Sequence, residues 1–200
     1  GAGKTTTINL FLGFVPPTSG HLSVDGIDVL REPARARTRV AYVPENVMLY
    51  SHLSGLENLE FFARLSLRAK TSRDELLVLL ESVGMSRDAA FHRSGTYSKG
   101  MRQKVGMAVA LARNVPVMLL DEPLSGLDPL AANEVSHAIR GLSARGIAVL
   151  MATHDIFRAK DTGHRIGIMR GGRLVRELET RSIEHLALEK LYLEIMVDAA

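Results

Sequence analysis

The sequence predicts an α/β fold: a mostly parallel sheet with helices on its faces, interrupted by a helical insertion. Three observations carry this prediction. Short apolar strands at 40–43, 117–120 and 147–151 alternate with helical segments. A glycine-rich turn runs directly into a helix at the start of the chain. Between them, residues 54–112 change character and carry apolar stripes at helical spacing.

The opening run Gly1-Ala2-Gly3-Lys4-Thr5-Thr6 supplies the last positions of the phosphate-loop pattern G-x-x-x-x-G-K-[ST]. The residue types follow from the chemistry. Glycines let backbone N–H groups curl around phosphate oxygens, the lysine neutralises β/γ charge, and the threonine hydroxyl suits Mg²⁺. The following helix adds its N-terminal dipole. That helix is expected over 5–12, with Ile8, Leu12 and Phe11 toward the core. The sequence begins in mid-motif without an initiator Met, so it reads as an internal piece of a longer chain. The strand leading into the loop, and any aromatic that stacks on a base, are expected before residue 1.

The remaining elements follow in order. Pro16-Pro17-Thr18-Ser19-Gly20 is a loop, and 21–26 alternates as a strand ending in the turn Asp25-Gly26. Strand 40–43 is closed by Pro44. The segments 58–65 and 75–80 are amphipathic helices, with turns marked by Gly84 and Ser94-Gly95. A helix is expected near 130–144 and a hairpin from 165–169 and 173–175 around Arg170-Gly171-Gly172. A final amphipathic helix spans 183–195. The whole reads as one domain over 1–200 with a helical subdomain at 54–112.

With 200 residues and 46% hydrophobic content the chain can bury a real core. No apolar run approaches the roughly 18 residues needed to span a bilayer. The lack of cysteine excludes disulfides and thiolate metal sites. The net charge of +3 is modest, but Arg31, Arg35, Arg37 and Arg39 cluster around Pro33. They could meet nucleic acid or lipid head groups, although the spacing favours a solvated helix face. Histidines and methionines show no metal-ligand spacing.

The most informative stretch is MLLDEPLSGLD at 118–128. An apolar strand delivers Asp121 and Glu122 side by side, a proline stops it, and Ser125-Gly126-Leu127-Asp128 makes a polar turn. Paired acids at the end of a buried strand are costly unless a cation or a reacting water lies beside them. Farther back, Tyr97-Ser98-Lys99-Gly100-Met101-Arg102-Gln103 precedes a helix with Val105, Ala108, Val109 and Ala112 on its stripe. Ser98 is a candidate N-cap, and Gly100 leaves N–H groups open to an anion.

Together these motifs resemble an ABC-type ATPase nucleotide-binding domain, a P-loop NTPase. GAGKTT looks like the end of Walker A, YSKGMRQ like the signature, MLLDEP like Walker B and SGLD like the D-loop. Ala152-Thr153-His154-Asp155 looks like the switch-histidine segment. The resemblance implies a head-to-tail dimer, a homodimer by expectation, with two ATPs between protomers. Gly1, Ala2, Gly3, Lys4, Thr5 and Thr6 of one protomer would face Ser98 and Gly100 of the other. Thr5 and Asp121 would hold Mg²⁺, Glu122 would polarise the attacking water, His154 would contact the γ-phosphate, and Asp128 would link the sites. Two departures stand out: Glu45 replaces the usual glutamine after strand 40–43, and Lys99 and Met101 replace the commoner glycine and glutamine of the signature.

The compact insertion and the runs AYVPEN, SGLENL and YSKGMRQK are most similar to the ATPases of bacterial ABC-2-type exporters. A narrower similarity is to the copper-processing ATPases of nitrous oxide reductase maturation. The implied partners are a second ATPase subunit and an integral membrane permease at the cytoplasmic face of the inner membrane, with no nucleic acid. Met48, Leu49 and Tyr50 suit a groove for a coupling helix of the permease, or else pack inside the helical subdomain. The competing function is a soluble ABC ATPase acting on ribosomes or DNA through the basic run 31–39.

Overall fold

The computed structural model describes residues 1–66 and 71–197, so 67–70 of the helical stretch lie outside the described residues. At its centre β3 (Val40–Val43), β4 (Val117–Asp121) and β5 (Ala148–Ala152) form a parallel sheet in the order β3-β4-β5. Both faces are covered, which explains why β3 and β4 read as nearly continuous apolar runs. Val40, Leu119 and Ala152 point into one cluster with Ile8 of α1 (Lys4–Phe11) and Leu12 just after it. Ala41, Val43, Met118 and Leu120 point the other way, against α6 (Lys99–Ala112) and α7 (Pro129–Ala144). The register sets Asp121 opposite Ala152, so the polar ends of β4 and β5 emerge together.

The expected strand at 21–26 is shorter than its pattern. Only Ser23–Val24 (β1) is extended, paired with Ile27–Asp28 (β2) around a turn at Asp25 and Gly26. Both turn residues have positive φ, the two-residue geometry that folds a strand back on itself. The arginine run forms α2 (Pro33–Arg37) and the turn after it. Arg31, Arg35 and Arg39 pair with Asp28, Glu32 and Asp25 on the exposed face.

The helical stretch contains α3 (Gly55–Ser66), α4 (Arg73–Ser82), α5 (Arg87–Phe91) and α6. Reciprocal serine–glutamate caps start two of them: Ser54 with Glu57 for α3, and Ser72 with Glu75 for α4. Ser98 caps α6 by accepting the Met101 N–H at 3.2 Å. The stripe expected on α6 is too narrow. The helix lies between α3 and α4 on one side and β3 and α7 on the other, so Gln103 and Lys104 are buried as well. Each then has a partner: Gln103 Nε2 donates to the Glu45 carbonyl at 2.8 Å, and Lys104 Nζ reaches Gly84 O and Glu134.

After β5 comes α8 (Ile156–Thr162), capped by Asp155, a helix that the sequence pattern does not predict. The antiparallel hairpin β6 (Arg165–Arg170) and β7 (Arg173–Glu179) follows, then α9 (His185–Val197) over Ile166 and Ile168. Among the described residues β5 pairs only with β4, and Leu150 on it is exposed.

The loop before α3 is held by one buried side chain. Asn58 is 0% exposed; its oxygen accepts the Tyr50 N–H at 2.8 Å, and its amide faces the carbonyls of Tyr50, Leu53 and Ser54. Removing it strands several buried backbone groups. Asn58→Ala is expected to destabilise by about 2–3 kcal/mol, lowering the thermal midpoint by roughly 5–10 °C for a domain of this size. A midpoint within about 1 °C of the parent's would refute that role.

Candidate functional site

The site forms where the end of β4, the end of β5 and the start of α1 converge. Gly3 takes φ +100°, a left-handed conformation open to glycine, and packs against the hairpin turn: a β-carbon on Gly3 would lie 3.1 Å from Gly172 Cα. The Gly172 N–H also donates to Ala2 O at 3.0 Å. No side chain caps α1 and no acid lies in its first turn, so its leading N–H groups face outward as an anion site. Gly1 and Thr6 sit exposed beside it.

The acidic half faces it. Glu122 leaves the strand with φ +46°, and its N–H donates to Ala152 O at 2.8 Å. This turn sends the two neighbouring carboxylates to different partners. Asp121, 7% exposed, receives the Thr5 hydroxyl at 3.4 Å. Glu122 lies 4.0 Å from Lys4 Nζ and 2.8 Å from His154 Nδ1. Burial raises the Asp121 pKa above its ordinary value, and the charges of Glu122 and Glu45 push the same way against Thr5 and Lys4. The Thr5 hydroxyl and the Lys4 charge do not outweigh burial and the two nearby acids, so the Asp121 carboxylate is short of positive charge.

A hard divalent cation fits that deficit. Among the described residues no three His, Asp or Glu side chains close into a metal cage. Thr5 and Asp121 therefore offer only part of a shell, as suits Mg²⁺, which keeps waters and takes its other ligands from phosphates.

Five of the expected residues, Lys4, Thr5, Asp121, Glu122 and His154, are thus joined directly. Others are not. Ser98 caps α6, and Gly100 lies against the start of α7: a β-carbon on Gly100 would stand 3.0 Å from Ala131 Cβ. Among the described residues no hydrogen bond or ion pair ties them to the Lys4 cluster. Asp128 caps α7, accepting the N–H groups of Leu130 and Ala131 at 3.0 Å. Glu45 accepts the Ser125 hydroxyl at 3.1 Å and lies 3.7 Å from Lys99. Sequence reasoning missed Ser125 and Gln103 as neighbours of Glu45; the only trace was a polar residue inside each motif.

Met48, Leu49 and Tyr50 divide between the two expectations. Met48 is 82% exposed and Tyr50 is exposed, whereas Leu49 packs on the main core. Met48 and Leu49, but not Tyr50, border a groove of about 420 Å³ with Asn46, Ser94, Lys99 and Arg102.

The raised Asp121 pKa has a stability consequence of definite sign. The folded state disfavours the charged form, so the penalty is present above the folded pKa and is relieved as pH falls through it. Asp121→Asn is expected to stabilise the ligand-free protein near pH 7.5 by about 1 kcal/mol, with the gain shrinking in acid. Thermal melts at pH 7.5 and at a pH near the ordinary carboxylate value of 3.8 measure it, and a destabilised variant at pH 7.5 would contradict it.

The family described as ABC transporter matches residues 1–125. The chain is 35% identical over 176 residues to an uncharacterized ABC transporter ATP-binding protein, YhcH, of Bacillus subtilis (strain 168), covering 88% of this chain and 57% of that protein. It is 34% identical to the daunorubicin resistance ATP-binding protein DrrA3 of Streptomyces coeruleorubidus, covering 88% and 56%. The chain thus spans little more than half the length of these curated relatives. Its fold matches the dimeric post-hydrolysis structure of the ATP-binding cassette MJ0796 bound to ADP and Pi, with TM-score 0.77 and 29% identity over 91% of this chain and 82% of that one. None of these relatives is described by copper processing, and that narrower similarity is not carried forward. The fold is that of a P-loop ATPase cassette, and the chain belongs to the ABC transporter family as an ATP-binding domain.

Proposed function

We propose that this chain is the ATP-hydrolysing part of an ABC-2-type exporter at the cytoplasmic face of a bacterial inner membrane. The observation that carries the reading is the convergence of Lys4, Thr5, Asp121, Glu122 and His154 at the open N-terminus of α1. The N–H groups from Gly1 to Thr6 cradle the phosphates of ATP, and Lys4 offsets the charge of the β- and γ-phosphates. Thr5 and Asp121 hold Mg²⁺, which when bound neutralises charge on the phosphates. Glu122 orients and polarises the attacking water, and His154 holds Glu122 while contacting the γ-phosphate.

Among the described residues Ser98 and Gly100 make no hydrogen bond or ion pair with the Lys4 cluster of their own chain, which supports a head-to-tail homodimer where they meet the partner's γ-phosphate. Asp128, fixed at the start of α7, lies at that interface. The 54–112 helices then act as a subdomain that closes with nucleotide, and the groove beside Met48 and Leu49 receives a membrane permease. The resistance protein among the relatives supports the export direction.

In the full chain, Glu122→Gln is expected to lower ATP turnover by about 10²–10³-fold while nucleotide binding persists. Phosphate release and equilibrium binding of ATP, measured on the same preparation, test this. Unchanged turnover would overturn the assignment.

A further inference from the structure

The phosphate loop is braced by the tip of the β6–β7 hairpin. Arg170 pairs with Arg173 across Gly171 and Gly172, whose φ of +55° and +77° make a two-residue turn suited to glycine. The central N–H groups of such a turn have no partner within it. That of Gly172 donates to Ala2 O at 3.0 Å. Next along the chain, a β-carbon on Gly3 would meet Gly172 Cα at 3.1 Å and Met169 Cε at 3.5 Å. Met169 Sδ also lies 4.0 Å from the Thr7 hydroxyl, which donates to Gly3 O at 3.0 Å. One extra residue on β7, Val175, shifts the register between Ile168 and Met169 and bends the hairpin just before its tip.

The same tip is held by α9. Ile195 O is among the last four carbonyls of that helix, which lack an intrahelical partner. The half-buried Arg170 guanidinium donates to it, a cation placed where the helix dipole favours one. Ile195 and Met196 also pack on the cluster of Ile166 and Ile168, so β6 and the end of α9 form one packed unit. A single turn of chain thus separates the bond to α9, at Arg170, from the bond to the phosphate loop, at Gly172.

We propose that Arg170 and Gly172 are positioning residues through which the seating of α9 fixes the phosphate loop at Gly3 and sets how tightly it holds the phosphates of a nucleotide. A displaced α9 withdraws Arg170, turns the hairpin tip and frees Gly3 from the conformation that points the leading N–H groups of α1 outward. The hydrogen bonds are present without ligand; the effect on phosphates rests on the nucleotide reading above.

The test compares the full chain with Arg170→Met, Arg170→Lys, Leu188→Ala and Arg176→Met. Leu188→Ala empties part of the buried seat of α9 and keeps the arginine, and Arg176→Met removes an exposed charge from the same hairpin. Amide hydrogen exchange at residues 7–12 is measured without nucleotide, and equilibrium binding of ATP on the same preparations. Arg170→Met and Leu188→Ala are expected to speed that exchange by about 5–10-fold, with α3 and α4 unchanged. Both should weaken ATP by about 3–10-fold. Arg170→Lys, which keeps a donor, should restore most of both properties, and Arg176→Met should alter neither. Unchanged exchange at 7–12 in Arg170→Met, or an equal rise in Arg176→Met or throughout the chain, overturns the link. A parent chain that binds no ATP overturns the nucleotide reading and the phosphate effect with it, while faster exchange at 7–12 in Arg170→Met would still uphold the mechanical link.

Discussion

The site depends on a single backbone turn, the left-handed residue at the end of β4. A non-glycine side chain in that region costs on the order of 1 kcal/mol, and Glu122 holds φ +46° because its N–H is anchored on Ala152 O. The anchor joins β4 to β5 just where both strands stop. It also separates two adjacent carboxylates. Asp121 stays within the sheet edge facing Thr5, while Glu122 swings toward Lys4 and His154. An extended residue at 122 would send its side chain to the opposite face of the sheet and dissolve the cluster.

Such an arrangement is unfavourable in isolation. The chain buries an acid beside two others and leaves the first turn of α1 uncapped. Each of these deficits is met by a ligand rather than by the protein: cation for the acids, anion for the amides. On the proposed reading an ATP–Mg²⁺ pair would satisfy both, and the cost carried by the free protein would favour that ligand over others. The turn at Ser98 is built on a different helix, where its hydroxyl caps α6, and among the described residues no hydrogen bond or ion pair ties it to the Lys4 cluster.

Much of this was legible in the residues. β3 and β4 were readable because strands covered on both faces need apolar runs, and α1 because glycine and lysine precede an apolar stripe. The stretch 21–26 misled because alternation over a few residues does not reveal where a turn folds the strand back at Asp25 and Gly26. Helix α8 was missed because seven residues with three charges make no stripe. Gln103 and Lys104 were illegible as buried groups because α6 is enclosed by helices on one side and sheet on the other, and sequence periodicity cannot show that. The meeting of Glu45 with Lys99 is a tertiary fact, made by Gln103 and the bare turn at Gly126.

The central claim is that the deficits of α1 and β4 are answered together by one ligand. The direct measurement is the thermal midpoint of the full chain with ATP and Mg²⁺ separately and combined, alongside Lys4→Ala. The account predicts that the combination raises the midpoint by roughly 5–10 °C when ligand is near a hundred times its dissociation constant. Each component alone should give much less, and Lys4→Ala should lose the gain. An unchanged midpoint with the combination, or an equal gain in Lys4→Ala, would contradict it.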